Sequence, residues 1–155
     1  MKLYIASSWE NARYPLVVNR LRQCGHDVFD FKNSQGATGR RVEEEFVGSD
    51  QNQFLAHQDV KVVFKRDFRA MEAAGACILV LPSGRSSHLE AGWFVGKGKP
   101  CFILLDPVII TPLELMYGMA TVVTKELGHI IDCIQTLDAG KHLPTASYST
   151  PSEKR

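Results

Sequence analysis

Short apolar runs alternate along this chain with longer amphipathic stretches. Leu3-Tyr4-Ile5-Ala6, Ala76-Cys77-Ile78-Leu79-Val80-Leu81 and Pro100-Cys101-Phe102-Ile103-Leu104-Leu105 are nearly continuous in apolar residues. Runs of that length, rich in Ile, Val and Leu, read as strands buried on both faces. Asp27-Val28-Phe29-Asp30-Phe31 mixes polar and apolar positions as a half-buried strand does, and Thr121-Val122-Val123 reads as a short fifth strand. Between these runs the spacing becomes helical. Val17, Val18 and Leu21 follow Pro15, a residue tolerated near a helix start, and Gly25 is placed for a left-handed cap. Leu89 to Lys97 predicts a second helix that closes on Gly96-Lys97-Gly98. Lys125 to Leu137, with Leu127, Ile130, Ile131 and Ile134 apolar, predicts a last one that Gly140 ends.

Other stretches are less decided. Val60-Lys61-Val62-Val63-Phe64 suits either a strand or a helix lead-in, with Asp67 then opening a helix that Gly75 ends. Lys32 to Gly39 reads as a loop, and Arg40 to Val47 and Asp50 to Gln58 as helix candidates. This insert over 32–60 suits a lid or substrate wall as well as surface decoration. Thr111-Pro112-Leu113-Glu114-Leu115-Met116 predicts a short helix with Thr111 as N-cap and Pro112 at its first position. From Lys141 onward Pro, Thr, Ser, Lys and Glu dominate, the composition of a disordered tail.

Strands alternating with helices predict an α/β fold. It is a single-domain, doubly wound parallel sheet of about five strands in the flavodoxin-like order 2-1-3-4-5. The domain is expected over 1–140 and the tail over 141–155. In that order strands one and three are neighbours, so the loop Ser7 to Asn11 faces the turn Gly84 to Glu90 across a crevice. The carboxyl ends of the strands at such a switch point are where open α/β sheets bind ligands.

The 155 residues suit one domain with a sizeable core. A net charge of +1 offers no electrostatic reason to expect nucleic acid or a membrane surface as partner. No apolar run approaches the roughly 20 residues a spanning helix needs. Ser7, Ser8 and Trp9 cut the first apolar run short of a signal-peptide core. Cys24, Cys77, Cys101 and Cys133 form no CxxC pair, and reduced, buried thiols in a cytoplasmic protein are expected. The five histidines are scattered, which gives no metal-ligand cluster, and no metal or organic cofactor is expected.

The chemistry concentrates in the turn Pro82-Ser83-Gly84-Arg85-Ser86-Ser87-His88 and in Glu90. Ser87-x-x-Glu90 has the spacing of a capping box, in which Glu90 reaches back to a backbone N–H. The alternative is a carboxylate aimed into the crevice, able to attack an anomeric carbon. Asp67 suits a helix start on macrodipole grounds, or a functional acid. Tyr4 can be a sheet residue, Ser7, Ser8 and Ser86 ordinary turn residues, Arg85 an exposed side chain, and Trp9 and Trp93 core. Gly92-x-x-x-Gly96-x-Gly98 is no dinucleotide fingerprint, and neither a Walker A sequence nor a GxSxG elbow occurs.

Taken in order, Leu3-Tyr4-Ile5-Ala6-Ser7-Ser8-Trp9, Phe64-Lys65-Arg66-Asp67-Phe68, Glu90-Ala91-Gly92-Trp93 and Gly98-Lys99-Pro100 resemble the nucleoside 2-deoxyribosyltransferase family across roughly residues 1 to 137. That family includes nucleotide N-glycosidases that hydrolyse deoxynucleoside monophosphates. The resemblance implies Glu90 as nucleophile, Tyr4 as the residue that orients it, and Asp67 as the group that contacts or protonates the base. The expected substrate-binding residues along the crevice are Ser7, Ser8, Trp9, Gly84, Arg85, Ser86 and Ser87, which would hold sugar hydroxyls or a phosphate. The resemblance also implies a homo-oligomer, dimer or higher, in which Leu115-Met116-Tyr117-Gly118 serves a neighbouring subunit's site. The family's transferases often carry an acidic residue in the turn before the nucleophile. Hydroxyls and Arg85 stand there instead, as in the phosphate-binding turn of the nucleotide hydrolases.

The expected activity is therefore cleavage or transfer at the N-glycosidic bond of a (2-deoxy)nucleoside or its monophosphate through a glutamyl-glycosyl intermediate. The alternative is a non-catalytic nucleotide-binding or sensing domain on the same fold. A serine hydrolase using Ser86 or Ser87 is a third, weaker reading for want of an elbow.

Overall fold

In the computed structural model, five parallel strands lie in the order β2-β1-β3-β4-β5, as the apolar runs predict. The structure describes residues 1–33, 44–46, 50–108 and 114–143. Its strands are β1 (Lys2–Ala6), β2 (Asp27–Phe29), β3 (Ala76–Val80), β4 (Cys101–Leu104) and β5 (Val122–Thr124). The helices are α1 (Tyr14–Gln23), α2 (Gln51–Ala56), α3 (Gln58–Ala73), α4 (Arg85–Gly96) and α5 (Leu127–Asp138), with a 3-10 helix over Leu115–Met119.

Alternation along the strands splits the core in two. Leu3, Ile5, Ala76, Ile78, Phe102 and Leu104 face α1 and α5, where Val17, Leu21, Ile130 and Ile134 meet them. Tyr4, Ala6, Cys77, Leu79, Cys101 and Ile103 face α3 and α4, which contribute Met71, Ala91 and Phe94. Each large apolar side chain buried this way is worth roughly 1.5–3 kcal/mol in transfer terms. All four cysteines are free thiols; Cys24 is partly exposed and the other three are buried.

Several boundaries differ from the sequence expectation. Val60 to Phe64 is helix, because α3 starts at Gln58, where His57 caps it by accepting from the Asp59 N–H. Asp67 therefore does not open a helix; it lies in the middle of α3. The helix after β3 starts at Arg85 with Gly84 as N-cap, not at Leu89. Ser87 and Glu90 thus lie inside α4, and the capping box does not form. Strand two stops at Phe29, because Asp30 turns inward to accept hydrogen bonds from Tyr14 and Asn33. Strand five and the last helix each begin a residue or two later than expected. Gly25 and Gly140 take the left-handed conformation their cap positions require. Thr111, Pro112, most of the candidate helix from Arg40 to Val47, and 144–155 of the expected tail lie outside the described residues.

Candidate functional site

The side of the sheet facing α3 and α4 carries Tyr4, on β1. Tyr4 is buried, stacked on Phe29 at 5.7 Å and packed against Phe94 at 5.8 Å. Its hydroxyl reaches the carboxylate of Glu90 on α4 and donates a hydrogen bond to it. Burial, first, and then the charges of Glu90 and Asp67 push the Tyr4 hydroxyl far above its ordinary pKa, so it remains a donor at any working pH.

Asp67 approaches from α3. Its Oδ1 accepts from both Nε and Nη2 of Arg66, each at 2.8 Å. Burial raises the Asp67 pKa, and the guanidinium opposes that rise without cancelling it. Half-buried Asp67 therefore holds a proton to higher pH than an ordinary aspartate.

These groups line a crevice of about 570 Å³ at the carboxyl ends of the strands. One wall is the loop after β1, with Ser7, Ser8 and Trp9; the other is the turn and first residues of α4, with Gly84, Arg85, Ser86 and Ser87. Tyr4, Asp67 and Glu90 complete it. Ser7 is committed in part: its Oγ donates to the Val80 carbonyl at 3.0 Å. Trp9 packs edge-on against Phe31 at 4.8 Å, so it serves wall and core together. The first N–H groups of α4 have no partner within the helix. Beside them, Ser83 Oγ is buried with no hydrogen-bond partner among the described residues.

Ten of the eleven expected site residues thus surround one space. Tyr117 does not. Its hydroxyl lies 3.0 Å from Nε2 of His88, on the exposed side of α4, while His88 Nδ1 lies 2.8 Å from the Gly84 carbonyl. A carbonyl only accepts, so neutral His88 is protonated at Nδ1 and Tyr117 donates to Nε2.

The crevice also includes residues that sequence reading does not assign: Glu10, Phe31, Glu44 and Val63. Glu44 brings part of the 32–60 insert to the crevice wall, and Phe46 beside it packs on Phe54 and His57. No periodicity in the insert signals this. Arg66 is also missed, although its place immediately before Asp67 is a usable sign. A second, apolar groove of about 490 Å³ shares Asp67, Ser86 and Glu90 with the crevice and continues over Phe64, Phe68 and Trp93. Trp93 is thus partly buried against Phe68 and Phe94 at the groove's edge. Among the described residues no cluster of His, Cys, Asp and Glu is arranged to hold a metal ion, and no helix is long and apolar enough to cross a membrane.

No protein-family model and no curated protein matches the sequence. Solved structures do match its fold. The 2-deoxyribosyltransferase of the psychrotolerant bacterium Bacillus psychrosaccharolyticus is similar at a TM-score of 0.59 and 19% identity, over 85% of this chain and 91% of that one. A conserved protein of Enterococcus faecalis V583 gives 0.64 and 16%, over 88% and 98%. The CMP N-glycosidase of Clostridium botulinum gives 0.52 and 15%, over 87% and 99%. This chain shares the flavodoxin-like α/β fold of these structures, which match 85–88% of its length.

Proposed function

We propose that this protein is an enzyme that breaks the N-glycosidic bond of a nucleoside or nucleoside monophosphate, in the 2-deoxy form, with Glu90 as nucleophile. The observation that carries this reading is the Tyr4–Glu90 hydrogen bond at the crevice. Glu90 is inside a helix, where capping gives it no work, and a buried phenol aims its carboxylate. Structural neighbours named as a 2-deoxyribosyltransferase and a CMP N-glycosidase support the same chemistry.

In this mechanism a Glu90 oxygen attacks C1′ while the C1′–N bond breaks and its electron pair leaves on the base. The transition state has oxocarbenium character, and the product is a glycosyl ester of Glu90. Tyr4 fixes the attacking carboxylate. Asp67, which burial helps to keep protonated, gives a proton to the departing base directly or through water. Water or a second base then attacks C1′ and frees Glu90. The walls formed by Ser7, Ser8, Trp9, Gly84, Ser86 and Ser87 hold the sugar. Arg85 and the α4 N-terminus take a 5′-phosphate. Tyr117, outside its own crevice, is assigned to the site of a neighbouring subunit in a homo-oligomer.

The test is incubation with a panel of nucleosides and their monophosphates, with free base separated by chromatography. Base release by wild type, absent in Glu90→Gln, is the expected result. Tight nucleotide binding without base release from any member returns the chain to a non-catalytic binding domain.

A further inference from the structure

One buried side chain ties the two walls of the crevice together. Asn11, only 3% exposed, donates from Nδ2 to the Val80 carbonyl at 3.1 Å and to the Pro82 carbonyl at 3.0 Å. Val80 ends β3, and Pro82 lies in the turn that leads to Gly84 and α4. Ser7 Oγ supplies a second donor to Val80. These side chains stand in for ladder donors, because β1 ends at Ala6 and its backbone turns away.

The rest of Asn11 is equally engaged. Its Oδ1 accepts from the Arg13 N–H at 2.9 Å, and its carbonyl accepts from Lys32 Nζ at 3.2 Å and from the Tyr14 N–H at 3.3 Å. An amide is needed here. Two N–H bonds to two carbonyls, with an oxygen left to accept, is a pattern an ionised carboxylate cannot make. The body of α4 is fixed separately, by Ala91 and Phe94 in the core. Glu90 therefore takes its place from the core, whereas the turn before it is held from the opposite wall by Asn11 and Ser7.

We infer that Asn11 is a positioning residue that sets the turn Leu81 to Ser87 in register with Glu90, so that a sugar held by the turn presents C1′ to the carboxylate. Asn11 touches no reacting atom; it acts through the Pro82 and Val80 carbonyls. The kinetic part of this inference rests on the N-glycosidic reading above.

The test uses the full chain with Asn11→Ala and the near-isosteric Asn11→Asp. Both are assayed for base release well below their melting temperatures and followed by amide hydrogen exchange. Losing hydrogen bonds to a buried pair of carbonyls lowers kcat/KM by about tenfold or more in each variant. Exchange rises at the Leu81 and His88 amides, the hydrogen-bonded N–H groups at the two ends of the turn, while β4 stays protected. Asn11→Asp carries a further signature. Its carboxylate faces two carbonyl oxygens when ionised, but donates to one of them when protonated. Its rate relative to wild type therefore recovers as pH falls, whereas that of Asn11→Ala does not. Variants with wild-type kcat/KM and only a lower melting temperature overturn the inference, since Asn11 then serves stability alone. Wild type that releases no base defeats the N-glycosidic reading instead. Exchange then decides the Asn11 anchor by itself: a turn as protected in Asn11→Ala as in wild type overturns it. If Asn11→Asp does not fold, Asn11→Ala and Asn11→Ser give the same two readouts.

Discussion

The Tyr4 hydroxyl and the Glu90 carboxylate, one from the first strand and one from the helix after the third, are joined by a hydrogen bond. The parallel order β1 beside β3 makes that meeting possible. Glu90→Gln keeps the carbonyl that accepts from Tyr4 but removes the nucleophile. We expect a cooperative melt close to wild type and a loss of turnover of more than about a thousandfold. Thermal denaturation and a base-release assay on the same preparation check both halves. Retained activity would reduce Glu90 to a structural residue.

Tyr4→Phe isolates the orienting bond. The ring contacts with Phe29 and Phe94 survive, and only the hydroxyl is lost. A hydrogen bond to a charged group is worth about 1.5–3 kcal/mol, so kcat should fall by about ten- to a hundredfold with little change in KM. A fall confined to KM would place Tyr4 in substrate binding and not in orienting Glu90.

Asp67 predicts the pH profile. As an acid it is competent only when protonated, so activity falls as pH rises through its raised pKa. Arg66 lowers that pKa through two bonds to Oδ1, and Arg66→Met removes the opposition. The descending limb should then move to higher pH, and in Asp67→Asn it should vanish with a lower plateau. Profiles of kcat/KM for the three proteins measure this; a limb that stays in place in Arg66→Met assigns it to another group.

The same shift has a consequence for stability. A carboxyl whose folded pKa is raised stabilises the fold fully below its unfolded pKa, and that contribution is lost as pH rises through the folded value. Asp67→Asn carries no such loss. The melting temperature of the variant minus that of wild type should therefore be more positive at neutral pH than below the ordinary aspartate range. A difference independent of pH would mean that burial does not shift Asp67.

Strand runs and crossovers made the sheet order and the facing loops readable, because continuous Ile, Val and Leu report burial on two faces. Helix starts were harder. Leu89 opens the apolar spacing after the turn, yet it is 78% exposed; α4 buries Ser87, Ala91 and Phe94 instead. A serine that faces the core does not announce itself, so the helix reads four residues short and a capping box appears where none forms. Val60 to Phe64 mimics a strand through its β-branched residues, and only the His57 cap and the burial of Val60 and Met71 make it helix. With that stretch open between strand and helix lead-in, Asp67 reads as a helix start instead of a mid-helix residue. The paired carboxylates and the tyrosine were legible as types in order; their convergence needed the packing of α3 and α4 on one face of β1.

The choice between nucleoside and monophosphate turns on the α4 N-terminus. Gly84 caps the helix without a side-chain bond, which leaves the N–H groups of its first turn to face the crevice, at the positive end of the helix dipole. Ser86 and Arg85 stand at the same end, and Ser83 Oγ is buried nearby with no partner among the described residues. Since no capping box forms, neither Ser87 nor Glu90 competes for these donors. The opposing cost is a Glu90 carboxylate at the same crevice, which a phosphate must approach; Arg85 lines that crevice and supplies the countercharge. One charge-assisted hydrogen bond contributes about 1.5–3 kcal/mol, so kcat/KM should favour a deoxynucleoside monophosphate over its nucleoside by about tenfold or more. Arg85→Ala should erase most of that preference while leaving the nucleoside rate within about threefold, because only the phosphate uses the guanidinium. Rates measured on the matched pair decide it: equal values, or a preference for the free nucleoside, would make the turn a sugar clamp and the substrate uncharged.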